Sequence, residues 1–348
     1  MPVQCLEHRQ ECLCYQLEFA MFALALSASF MLPPAPAPRI KAETALAAIK
    51  QALPLLVLAA EGHAEQKTCY ACHNQAFPMM AFAAAKARGF DVPAEIFKTQ
   101  TDHVASFIAS NRDKFKKGEG TGGAVDTAGY AILTLELGGY KPDENTEAVV
   151  EYLLKTQPDR DHWRTVSNRP PSEASDFTPT YLALRGLRHW GTKDQKERGA
   201  KRVEAVRGWL LKAKAKDTED RVFRLFALKE VGADEKEIAA AAWELLKTQR
   251  IDGGWSQLDS MEADAYATGS ALVALHQAGG LPTDHPAYSR GVAFLVKHQN
   301  TDGSWYIGSR SKPFQAYYES GFPHGKDQFI SVATSGWATT ALLLGSKK

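Results

Sequence analysis

From about residue 43 onward, apolar positions recur with helical spacing, in stretches punctuated by glycine and aspartate. Two kinds of stretch alternate. Amphipathic ones lie near 43–62, 93–114, 144–156, 194–214, 234–248 and 286–298. Each precedes a stretch richer in Ala, Leu and Gly, near 78–88, 124–137, 176–190, 218–231, 262–278 and 329–344. The pattern predicts about six helical hairpins, the more apolar member of each packed on both sides.

The punctuation itself repeats. Gln249-Arg250-Ile251-Asp252-Gly253-Gly254-Trp255 recurs as Gln299-Asn300-Thr301-Asp302-Gly303-Ser304-Trp305, and Gln157 to Trp163 keeps the spacing without the glycine. Thr127, Thr180, Thr268 and Thr334 each stand eleven positions before a glycine: Gly138, Gly191, Gly279 and Gly345. A helix of about three turns closed by a left-handed glycine accounts for that interval, with threonine bonding free backbone N–H groups or pointing into a cavity.

The Gln-x-x-Asp-Gly-x-Trp text at 249–255 and 299–305 resembles the repeat of squalene and oxidosqualene cyclases and the glycine-rich turns of protein prenyltransferase β subunits. The resemblance covers residues 43 to 345. It implies an all-α fold, an α/α toroid of about six hairpins, with an apolar cavity for an isoprenoid-like small molecule. Gln and Trp are expected to hold the fold, Asp-Gly to make the turn. The families' catalytic groups do not transfer. Class II cyclases protonate an alkene from an Asp-x-Asp-Asp acid, and here Asp217-Thr218-Glu219-Asp220 and Glu262-Ala263-Asp264 depart from that text. The prenyltransferase zinc triad needs a late cysteine, and no cysteine follows Cys72.

The acids Asp126, Asp176, Asp220, Asp264 and Asp327 open the inner helices, where capping and the helix dipole explain them singly. Asp264, beside Tyr266 and Thr268, is the candidate catalytic acid if the protein is a terpenoid cyclase with a non-standard proton donor. Trp337, Trp243 and Phe226 are candidate cavity residues. The long insertion Tyr306 to Gln328 reads either as a binding loop or as a surface excursion packed by its own aromatics.

Composition is globular, with 45% hydrophobic and 23% charged residues, and a formal charge of +1 gives no reason to expect nucleic acid. Phe19 to Leu32 is an apolar and small-residue run of 14 residues followed by a Pro/Ala stretch, which fits the apolar core of a signal peptide. Residues 1–38 are therefore expected to be signal peptide and linker, residues 39–348 the toroid, and the protein exported to the periplasm or outside the cell.

Cys5, Cys12 and Cys14 precede the expected cleavage, leaving Cys69 and Cys72. Cys69-Tyr70-Ala71-Cys72-His73 has the spacing of a c-type haem attachment site, two thiols for the vinyl groups and His73 as axial metal ligand. A disulfide or redox pair, and zinc completed by His63 or His103, are the competing readings. Haem at the rim of the ring implies binding or electron transfer with a redox partner protein. A repeat scaffold whose groove binds a partner chain is the third reading.

Overall fold

The computed structural model describes residues 41–312 and 316–346. The apolar run Phe19–Leu32 and the boundary at residue 38 lie outside them.

Outer helices α1 (Ala42–Gln66), α3 (Ala94–Ser110), α6 (Glu144–Lys155), α8 (Lys193–Lys212), α10 (Glu235–Leu246) and α12 (Pro286–Lys297) alternate with inner helices α2 (Ala76–Ala87), α5 (Ala124–Leu137), α7 (Phe177–Trp190), α9 (Thr218–Glu230), α11 (Ala265–Gln277) and α13 (Gln328–Gly345). A short helix, α4 (Arg112–Lys117), a two-residue antiparallel pair, β1 (Trp255–Ser256) and β2 (Ala263–Asp264), and a 3-10 turn (Gly325–Asp327) complete the described elements. Each inner helix packs on the next in order, and α13 packs on α2, so the inner ring closes. The outer ring also meets itself, α12 against α1. Six hairpins around a shared centre make an α/α toroid, and its closure leaves no open solenoid groove.

The Gln–Trp turns fasten neighbouring hairpins. The indole N–H groups of Trp163, Trp255 and Trp305 donate to the carbonyls of Leu153, Leu245 and Leu295, each ten residues back, at 2.8–2.9 Å. Gln249 Nε2 donates to Gly253 O and to Ala287 O at the start of the next outer helix. Gln299 repeats this with Gly303 O and Ala48 O, at 2.9 Å each, and so ties the last turn to the first helix. Gly253 and Gly303 sit at φ 91° and 92°, which side-chain-bearing residues seldom adopt.

The recurrent hydroxyls secure the same turns from inside. Thr268 Oγ1 accepts from Trp255 N at 2.9 Å, Ser335 Oγ accepts from Trp305 N at 3.1 Å, and Thr180 donates to Trp163 O at 2.8 Å. The glycine part of the expected interval needs correction. Gly138 and Gly191 have φ −80° and −61°, and the left-handed residues are Gly139 and Gly280, one place later than Gly138 and Gly279. Gly138 is glycine for want of space, since a Cβ there would stand 2.1 Å from the Thr101 methyl.

Helix α1 is long and apolar enough to cross a membrane by length and composition, which corrects the expectation that charges interrupt every apolar run after Leu32. Here it is an outer-ring helix, with Ile49, Leu53, Leu56 and Ala60 buried.

Candidate functional site

The two ends of the inner ring differ in chemistry. A cavity of about 420 Å³ opens among the middles and C-terminal halves of the inner helices. Tyr130, Tyr181, Phe223, Phe226 and Trp337 line it with Leu133 and Leu137, while Arg88, Arg185 and Gln277 supply its polar groups. Arg185 is neutralised by Glu136 at 2.8 and 2.9 Å and bonds the Tyr181 hydroxyl. The volume is in the range that holds a small organic ligand, and the lining is apolar with few polar anchors. Trp337 and Phe226 thus line a cavity as expected. Trp243 does not, being exposed on the outer helix α10.

At the N-terminal ends of the inner helices lies a smaller cleft, about 180 Å³, bordered by Glu219, Tyr266, Ser270, Asp217 and Arg310. Glu219 is 5% exposed. Its Oε1 accepts from the Tyr266 hydroxyl at 3.2 Å, and its Oε2 is buried without a hydrogen-bond partner. Burial, with Asp217 nearby, pushes this carboxyl well above the usual carboxylate range, while the Tyr266 bond works the other way. Asp126 is buried as well, and burial beside Glu173 raises it too. On α9, Glu219 lies one turn before Phe223 on the same face of the helix, Glu219 bordering the smaller cleft and Phe223 the large cavity.

The sequence reading missed Glu219, because it required aspartate in the third place of Asp-x-Asp-Asp. Asp217-Thr218-Glu219-Asp220 keeps the spacing with one added methylene, and that signal was legible. Asp264, the acid chosen from sequence, borders neither cavity. Its Oδ1 caps α11 by accepting from Ala267 N at 2.9 Å, and burial raises its carboxyl to about 6 against the opposing effect of that bond. Asp217 caps α9 through Asp220 N, Asp220 accepts from Lys216 N, and Asp327 holds Tyr306 and Ser309 of the insertion. The acids are mostly structural. Among the described residues of that insertion, Arg310 reaches the small cleft, while Tyr318 bonds His63 and His324 bonds Ser304.

Cys69, Cys72 and His73 stand between α1 and α2. Both cysteines are free thiols, Cys69 exposed and Cys72 buried. Cys72 Sγ lies 3.2 Å from His73 Nδ1 and 3.4 Å from Glu173 Oε1. His73 Nε2 is 3.1 Å from Ser172 Oγ, and its ring meets Phe77 and Phe329. Burial, followed by the nearby Glu173, pushes the Cys72 thiol up, and burial takes His73 down to about 3. Arg169 pairs with Glu173. A haem does not fit these residues as they stand. Iron on Nε2 would displace Ser172 and its segment, and the Cys72 thiol is turned to Glu173. His63 and His103 do not complete a zinc set with the cysteine thiols either. Both present Nε2 to the Cys69 carbonyl, at 2.8 and 3.2 Å.

Comparison with known proteins agrees with this architecture. Residues 190–348, which include Glu219 and both well-formed Gln–Trp turns, match the squalene–hopene cyclase C-terminal domain. The type II terpene cyclase MstE from Scytonema superposes over 87% of this chain and 98% of its own, with a TM-score of 0.55 at 14% identity. The fold is a terpene-cyclase-like α/α toroid. The squalene–hopene cyclase of Zymomonas mobilis is 37% identical over 101 residues, 29% of this chain and 15% of that enzyme, so the matched segment spans a small part of its relative. An unsaturated glucuronyl hydrolase from Streptococcus agalactiae shares the fold with a TM-score of 0.54 at 12% identity, over 89% of this chain and 92% of its own. The architecture therefore hosts more than one chemistry, and the site must decide.

Proposed function

We propose that this chain binds an isoprenoid-like molecule in the aromatic cavity and protonates it from Glu219, as an acid-initiated terpenoid cyclase. The observation that carries this reading is a buried carboxyl one helical turn behind Phe223, hydrogen-bonded to Tyr266. Burial favours the protonated form of Glu219, and the Tyr266 hydroxyl stabilises the carboxylate left after the proton departs. Positive charge developing on the hydrocarbon would face Trp337, Phe223 and Tyr181, whose rings attract cations. Support for the ligand class comes from a structural neighbour: a point variant of MstE has been solved in complex with geranylgeranyl dihydroxybenzoate, its substrate.

The test is turnover of squalene and of geranylgeranyl dihydroxybenzoate, followed by mass spectrometry of the products. Wild type is expected to form an isomeric, cyclised product, and Glu219→Gln to bind the same ligand without forming it. No product from wild type would sink the reading. A second reading, ligand binding without turnover, rests on Glu219 bordering the smaller cleft and not the large cavity. Wild type and Glu219→Gln that bind equally and both leave the ligand unchanged would establish it. Export remains part of the proposal, and the N-terminal sequence of the secreted protein tests it.

A further inference from the structure

We infer that Cys72, His73 and Glu173 form a site for a divalent transition metal of the zinc class. The three side chains come from two segments far apart in sequence, the turn before α2 and the loop before α7. One ligating atom from each lies within 4.8 Å of the others. A tetrahedral zinc, with bonds of about 2.3 Å to sulfur and about 2.0–2.2 Å to nitrogen or oxygen, holds its ligand atoms about 3.5 Å apart. The Cys72 sulfur stands 3.2 Å from His73 Nδ1 and 3.4 Å from Glu173 Oε1, so both distances to sulfur already match, and the His73–Glu173 pair lies within 4.8 Å.

The surroundings match as well. A ligating imidazole normally gives its other nitrogen to a hydrogen-bond partner, which fixes the ring. His73 does this with Ser172 Oγ at 3.1 Å, which leaves Nδ1 to the Cys72 sulfur, 3.2 Å away. Arg169 holds the carboxylate of Glu173 in the same way. Sulfur, imidazole and carboxylate together suit zinc better than calcium or magnesium, which take oxygen ligands. Three protein ligands leave one coordination position for water or a ligand group. The ion would replace the thiol proton of Cys72 and join two segments 101 residues apart. Cys69, exposed, is outside the set.

The experiment needs no turnover. Full-length protein, kept reduced, is freed of metal with a chelator, reloaded with zinc or cobalt(II), desalted, and read by elemental analysis, near-ultraviolet absorption and intact mass. The expected result is close to one metal per chain, a thiolate-to-cobalt charge-transfer band, and a higher melting temperature for the loaded protein. Cys72→Ser and Glu173→Gln should lose the stoichiometric metal, and Cys69→Ser should keep it. Ser172→Ala should weaken binding about 10–100-fold, the usual cost of removing such a partner. If the variants fail to fold, the cobalt spectrum of wild type still decides. Wild type without a thiolate band, retention of metal by folded Cys72→Ser, loss in folded Cys69→Ser, or a mass gain of one haem would each overturn the assignment.

Discussion

Replacing Asp264 by Asn isolates one buried carboxyl without touching its cap. Asn accepts from the N–H groups of a helix start as well as Asp does, so the bond to Ala267 N at 2.9 Å survives. What disappears is the titration. Burial raises the folded-state pKa of Asp264 from 3.8 to about 6. A raised acid contributes stability that is complete below its unfolded pKa and is lost as pH rises through the folded one. The full span is about 2 pH units, or about 3 kcal/mol, and roughly 2 kcal/mol of it falls between about pH 4.5 and pH 7. Urea unfolding of wild type and Asp264→Asn across that range measures it. The other raised carboxyls, Glu219, Asp126, Glu173 and Asp217, titrate in both proteins and cancel in the difference. The stability of wild type relative to the variant should therefore fall by roughly 2 kcal/mol from about pH 4.5 to pH 7. Parallel pH profiles would show that Asp264 has an ordinary proton affinity and would refute the burial argument for this end of the ring.

Other substitutions probe the remaining links. Gln299→Ala removes the hydrogen bond that closes the ring onto Ala48 of α1 and a second one within its own turn, to Gly303, and should cost about 1–3 kcal/mol, read by urea unfolding. Gly336→Ala would place a Cβ 2.8 Å from the Phe77 carbonyl, forcing α13 from α2, and should destabilise by about 1–3 kcal/mol in the same assay. Leu133→Trp fills the large cavity and should abolish ligand-induced quenching of tryptophan fluorescence while leaving the far-ultraviolet circular dichroism spectrum unchanged. Glu219→Gln keeps the shape of the protonated acid, so its stability at neutral pH should equal or exceed that of wild type.

Much of the architecture was legible because its determinants are local and repeated. Gln249, Trp255, Gln299 and Trp305 announce the turns, and alternating helix composition separates outer from inner members. The threonines were seen as a series, but it needed coordinates to show that Thr180 and Thr268 bond the tryptophan backbones, that Ser335 and not Thr334 does so for Trp305, and that the left-handed residue is Gly139 and not Gly138. The site was harder. Glu219 stood within reach, in a four-residue run dismissed for one methylene. Glu173 carries no sequence signal at all, because its meeting with Cys72 depends on the ring bringing the loop before α7 over the turn before α2. Asp264 looked special because it neighbours Tyr266, yet the neighbour that binds Tyr266 comes from α9.

Turnover in deuterium oxide addresses proton donation by Glu219 most directly. With squalene or geranylgeranyl dihydroxybenzoate supplied, wild type should yield a cyclised product carrying one carbon-bound deuterium, and Glu219→Gln should yield none. Unchanged ligand from wild type, or product free of deuterium, would contradict the account.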